Sequence, residues 1–150
     1  MTDKIEKAGV PGGGIPTGEK PLVARYVMVE PNGFRIGPSH GSSDRHIQDI
    51  HAPGLANGWH SVLFFRTRHF DGMPTFTVRF ASSQQHLINH TFADTVPVPW
   101  HKTIPPGMLL TQNNELIFNV SGDGMIDFGD IFILYMSNEL TIKVPIVSDP

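Results

Sequence analysis

Cysteine is absent from this chain of 150 residues, so no disulfide braces the fold, and thiol nucleophiles and thiolate metal ligands are excluded. Long apolar runs are absent as well. Nothing approaches the ~20 residues a membrane-spanning helix needs. The opening Met1-Thr-Asp-Lys-Ile-Glu-Lys7 is charged, with no apolar signal-peptide core behind it. The expectation is cytoplasmic synthesis, with the product staying soluble, being released or assembling into a particle. A strong charge of either sign is also missing. The formal net charge is −3 and the isoelectric point about 6.2, which leaves no electrostatic footprint for nucleic acid and disfavours anionic membrane surfaces.

The signatures of catalysis are missing too. There is no His-Glu-x-x-His, Gly37-Pro-Ser-His-Gly41 falls in a polar loop and not in the strand-to-helix turn that a nucleophile elbow needs, and Gly12-Gly-Gly14 is not followed by the Gly-Lys-Ser/Thr of a phosphate loop. The few carboxylates sit in no glycosidase setting. We therefore expect a protein that is not an enzyme, with no catalytic residues, no cofactor and no resident metal.

Turn chemistry is abundant. Thirteen prolines and fifteen glycines punctuate the chain, as an all-β protein of many short strands requires. Residues 1–20 contain Val10-Pro-Gly-Gly-Gly-Ile-Pro-Thr-Gly18 and read as a flexible N-terminal arm. Residues 21–150 read as one domain. Strand patterns run over Leu22 to Glu30, Phe34 to Ile36, Trp59 to His69, Thr75 to Ala81 and Asn114 to Val120, with Arg45 to His51 a weaker candidate. Ser82 to Asp94 reads as strand or irregular structure. Val96 to Pro106 holds four prolines and belongs at an edge or in a crossing loop.

Asp71-Gly72 and Ser121-Gly-Asp-Gly124 are read as hairpin turns, since their residues tolerate positive φ. The first would put Arg66, Arg68 and Arg79 on one outward face. The second would pair Asn114–Val120 with Ile126–Tyr135, with a bulge at Gly129. A further strand, Leu140 to Val147, follows. The expected core is Leu63 and Phe65, or the alternate pair Val62 and Phe64, with Phe76, Val78, Phe80, Leu116, Phe118, Val120, Ile131, Ile133, Leu140, Ile142 and Val144. The architecture expected is a single-domain antiparallel β-sandwich of jelly-roll type.

Histidine is enriched, at eight residues. His86 and His90 are four apart, but as strand residues they stand about 13 Å apart. The loop cluster His40, Asp44, His46, Asp49 and His51 reads as solvated. Asp123, Asp127 and Asp130 lack the spacing of a calcium loop and read as turn and bulge residues. Protonating half of the histidines reverses the sign of the net charge, so repulsion between copies is least near pH 6.

Tryptophan points most directly at a ligand. Pyranose rings carry an apolar C–H face, and sugar sites set an exposed aromatic ring beside residues that bond hydroxyls. Trp59 stands next to Asn57 and His60 at a loop–strand junction. Trp100 stands next to His101 and Lys102. Asn57, Trp59, His60, Trp100 and His101 are therefore the candidate ligand-binding residues. A place at the edge of the core is the competing reading for either tryptophan.

The run Asn114-Glu-Leu-Ile-Phe-Asn-Val120, a glycine-rich turn and the apolar strand Ile131 to Tyr135 together resemble the closing strands of lectin-like and carbohydrate-binding-module jelly rolls. The resemblance covers these C-terminal strands alone, and no sugar-binding residue of such families maps onto a position here. It implies a jelly-roll fold and a binding module for a glycan or other small polar ligand. The alternative expectation is a self-assembling structural subunit whose N-terminal arm contacts a neighbour. Both readings expect a homo-oligomer.

Overall fold

The computed structural model describes residues 21–139. The arm at residues 1–20, the strand read over Leu140 to Val147, and the core positions Leu140, Ile142 and Val144 lie outside the described residues. Within them there are nine strands and no helix. They are β1 (Val23–Glu30), β2 (Phe34–Ile36), β3 (Asp44–Ile50), β4 (Ser61–Phe70), β5 (Thr75–Phe80), β6 (Ile88–Thr91), β7 (Val98–Ile104), β8 (Asn114–Ser121) and β9 (Met125–Ser137). One sheet has the order β1-β9-β4-β7, with β2 also pairing on β9, and the other has the order β3-β8-β5-β6. Every strand pairing is antiparallel. The sheets pack face to face, so the protein is an all-β sandwich.

Period-2 alternation decides which side chains enter the core. On β4 it selects Leu63 and Phe65, not Val62 and Phe64. Phe76, Val78 and Phe80 on β5, and Leu116, Phe118 and Val120 on β8, meet them from the opposite sheet, and all are buried. Ile131 and Ile133 of β9 are buried in the same layer. Phe65 lies within 6.2 Å, centroid to centroid, of Phe76, Phe118, Phe128 and Trp100. Most of these pairs meet edge to face or tilted, the arrangements ring quadrupoles favour.

Both expected hairpins are corrected. β8 pairs with β3 and β5, whereas β9 pairs with β1, β2 and β4, so Ser121-Gly-Asp-Gly124 carries the chain from one sheet to the other. Asp71-Gly72 does the same between β4 and β5. The residues that let a chain reverse within a sheet also let it cross between two. The inward pattern of the flanking strands is identical in both cases, so periodicity does not separate them.

Arg66 and Arg68 therefore share no face with Arg79. Arg66 pairs with Asp130 at 2.9 Å, and Arg79 donates to the Ser83 carbonyl at 3.1 Å in the other sheet. The bulge on β9 is present. The β4 register shifts between Phe64 and Arg66, opposite Phe132 and Gly129, and Asp130 takes the positive φ of 52°. Proline-bearing β7 is an edge strand, where the missing N–H of Pro99 is tolerated. Trp59 and His60 precede β4 instead of belonging to it.

The two crossing turns lie at one end of the sandwich and pack on each other. Asp123 Oδ1 accepts the Met73 N–H at 3.1 Å. Gly124 sits at φ +79°, and a Cβ there would strike the Phe70 carbonyl oxygen and the Asp71 backbone. Gly124→Ala should therefore cost on the order of 3 kcal/mol of stability. Gly129→Ala, where an added Cβ meets nothing within 4 Å, should cost less than about 1 kcal/mol. Urea midpoints of the two variants check this, and equal losses would refute the crossing-turn explanation.

Candidate ligand-binding site

At the opposite end, the loop between β3 and β4 faces the loop between β7 and β8 across a groove of about 510 Å³. Leu55, Ala56 and Leu109 supply apolar lining, while Asn57, Thr111, Gln112 and Asn113 supply polar groups. Trp59 stands in this lining with 49% of its surface exposed. An aromatic ring beside amide donors and acceptors is what a ligand with both an apolar face and hydroxyls requires.

Both loops are fixed by backbone and buried side-chain bonds. The β3–β4 loop is tied across by Ala52 N–H to the Thr111 carbonyl and Ala56 N–H to the Met136 carbonyl, each at 2.9 Å. Tyr135 donates its hydroxyl to the Pro53 carbonyl at 3.0 Å, and burial pushes that phenol's pKa above its ordinary value.

The β7–β8 loop is organised by Asn114, a buried amide in phase with Leu116, Phe118 and Val120. Its Oδ1 accepts the Leu110 N–H at 2.8 Å. Its Nδ2 donates to the Leu110 carbonyl at 2.7 Å and to the Ile50 carbonyl at 2.8 Å. One side chain thus closes the loop on itself and fastens it to β3. Asn113 beside it adopts φ 62° and gives its N–H to His51 Nδ1 at 3.2 Å. Asn114 escaped the sequence reading, yet a signal was present: a polar residue at an inward-phase position must find partners.

The five expected ligand residues divide into three groups. Asn57 and Trp59 share the groove just described. His60 and His101 line a second groove of about 540 Å³ with His86 and Lys102, and Pro105 belongs to both grooves. Trp100 joins neither, because its ring turns inward on β7. It stacks 6.2 Å from Phe65, meets Phe76 at 5.1 Å and donates Nε1–H to Thr67 Oγ1 at 2.9 Å. This is the core-edge position, and it commits the indole to packing.

The remaining histidines are dispersed. His90 packs on Trp100 at 4.8 Å and is not among the residues that line the groove with His86. His69 is buried and stacked on Phe92 at 4.1 Å. His46 lies between Glu115 at 2.7 Å and Asp44 at 3.5 Å. The hydrogen bond to Glu115 raises its pKa above 6.5, supported by the bond to Asp44 and opposed by desolvation. Among the described residues, no three His, Asp or Glu side chains converge in a way that would hold a metal ion. No protein-family model matches the chain, and no curated protein matches it.

Two predictions follow from this geometry. Asn114→Ala strands the Leu110 N–H and the Leu110 and Ile50 carbonyls, so it should cost about 2–4 kcal/mol and speed amide exchange at Leu110. A loss below about 1 kcal/mol would refute the anchoring role. The imidazole of His46 should titrate above 6.5 by NMR, and Glu115→Gln should bring it down. Because the folded-state pKa is the higher one, the stabilisation is complete below pH 6.5. It fades as pH rises through the folded value, and it is small at this exposed site.

Proposed function

We propose that the protein is a non-enzymatic, lectin-like module that binds glycans in the groove between the β3–β4 and β7–β8 loops. Trp59 acts as the stacking platform. Asn57, Gln112 and Asn113 bond hydroxyls, and the groove that holds His60 and His101 extends the site for a longer chain. The observation that carries the reading is the half-exposed Trp59 indole set among amide side chains on loops already fixed by buried bonds. Such preorganisation keeps the entropic cost of binding low, and stacking on the sugar's C–H face supplies the apolar contact.

The fold supports the same reading. A β1-β9-β4-β7 sheet against a β3-β8-β5-β6 sheet matches a jelly roll of two Greek keys, with β2 as a short continuation of β1, and lectin domains use that architecture. Fold alone does not assign function, so the weight rests on the groove.

A glycan array on the full chain, followed by calorimetry on the best binder, tests the proposal. Trp59→Ala should weaken binding at least tenfold and leave the melting temperature within a few degrees. Trp100→Ala should do the reverse, lowering the melting temperature while folded protein still binds. Failure to bind any glycan at millimolar concentration, or indifference of binding to Trp59→Ala, would sink the reading.

A further inference from the structure

Every arginine among the described residues is engaged. Arg25, Arg35, Arg45 and Arg66 pair with Glu139, Asp127, Glu30 and Asp130. Arg79 donates to the Ser83 carbonyl, and Arg68 lies over the Phe70 ring. The groove of about 540 Å³ beside β7 is built differently. His60, His86, His101 and Lys102 line it, and no Asp or Glu does. Among the described residues none of these four makes an ion pair.

Three pieces of chain bring the four groups to one groove. His60 precedes β4. His101 and Lys102 are neighbours on the edge strand β7, in register with Phe64 and Leu63, and the His101 ring lies 6.3 Å from that of Phe64. Lys102 has the inward phase of Trp100 and Ile104 yet is exposed. His86 comes from the β5–β6 loop, which is fastened by the Leu87 N–H to the Val78 carbonyl at 2.7 Å. The β7–β8 loop adds only uncharged Pro105 and Met108. Neighbouring titratable groups are occupied elsewhere: His90 packs on Trp100, and Asp94 accepts the Val96 N–H at 3.2 Å.

We propose that this groove seats an acidic group of the ligand, a sulfate or a carboxylate, and holds it more tightly as the pH falls. A metal ion needs neutral imidazoles aimed at one point, and no three described side chains converge in that way. Separate N–H donors around an open groove suit a polyatomic anion, which accepts bonds from several directions. Imidazoles gain their protons between about pH 8 and pH 5, while sulfates and carboxylates stay ionised. The groove's charge then climbs from that of Lys102 alone towards that of four cations. Each exposed charge contributes little, and three added together should tighten binding about tenfold. Pro105 lines both grooves, so a saccharide stacked on Trp59 has this site as its neighbour. That the anion is carried on a glycan rests on the reading above; the anion site itself does not.

An NMR titration of the full chain with sodium sulfate, against chloride at equal ionic strength, tests the site at about pH 5.5 and about pH 8. Sulfate should shift the imidazole signals of His60, His86 and His101 at the lower pH and bind about tenfold more weakly at the higher. The imidazole of His40, on the β2–β3 loop, should not move. The triple variant His60→Gln, His86→Gln, His101→Gln keeps the other five of the eight histidines, so the change in bulk charge persists. It should nonetheless lose the pH dependence. Lys102→Gln should weaken sulfate about threefold at both values. For the carrier, oligogalacturonate is compared with its methyl ester and sulfated dextran oligosaccharide with dextran, which separates carboxylate from sulfate. The acidic member of a pair that binds should outbind its neutral counterpart, and by more at the lower pH. Sulfate binding without any glycan binding supports the anion site and fells the glycan reading alone. Glycan binding that needs Trp59 but gains nothing from charge or acid overturns the anion site. So do the absence of a sulfate effect, equal shifts at His40, and an undiminished pH dependence in the triple variant.

Discussion

The contact on which the sandwich depends is the meeting of aromatic rings between its sheets, centred on Phe65. From the five-stranded sheet come Phe65, Phe128 and Trp100, and from the other come Phe76 and Phe118. Rings this large bury more apolar area per residue than the aliphatic side chains around them. In a chain without cysteine they do the work of holding two layers together. The same cluster dictates the role of Trp100. Its indole is one of the rings, hydrogen-bonded to Thr67, and the groove between the β3–β4 and β7–β8 loops is left with Trp59.

Alternation made much of this readable beforehand. Phe76, Val78 and Phe80, and Leu116, Phe118 and Val120, announce their inward faces in the sequence itself, as does the proline-marked edge at β7. Pairing partners were not readable. Ser121-Gly-Asp-Gly124 and Asp71-Gly72 have hairpin chemistry, but the returning strand joins the other sheet. What decides this is long-range pairing, such as Val23 with Ser137, which local pattern does not encode.

The site divides the same way. Trp59 and Asn57 were visible as a loop aromatic beside an amide. Gln112 and Asn113 were not, because the 111–113 loop meets the 57–59 loop only through the fold. Asn114 is the physical link, joining Leu110 and Ile50 across a wide gap in sequence.

Strand β9 pairs with β1, β2 and β4, all of which leave the ribosome before it. Until residues 125–137 have emerged, β1 and β2 have no sheet partner, and β4 has β7 on one edge only. Completion of the sheet therefore waits on synthesis of one late segment, and every ladder that β9 makes closes a long loop. Such topologies fold slowly and expose sticky intermediates. The price of putting the last-made strand at the centre of a sheet is an interval during translation in which β1, β2 and one edge of β4 lie unpaired.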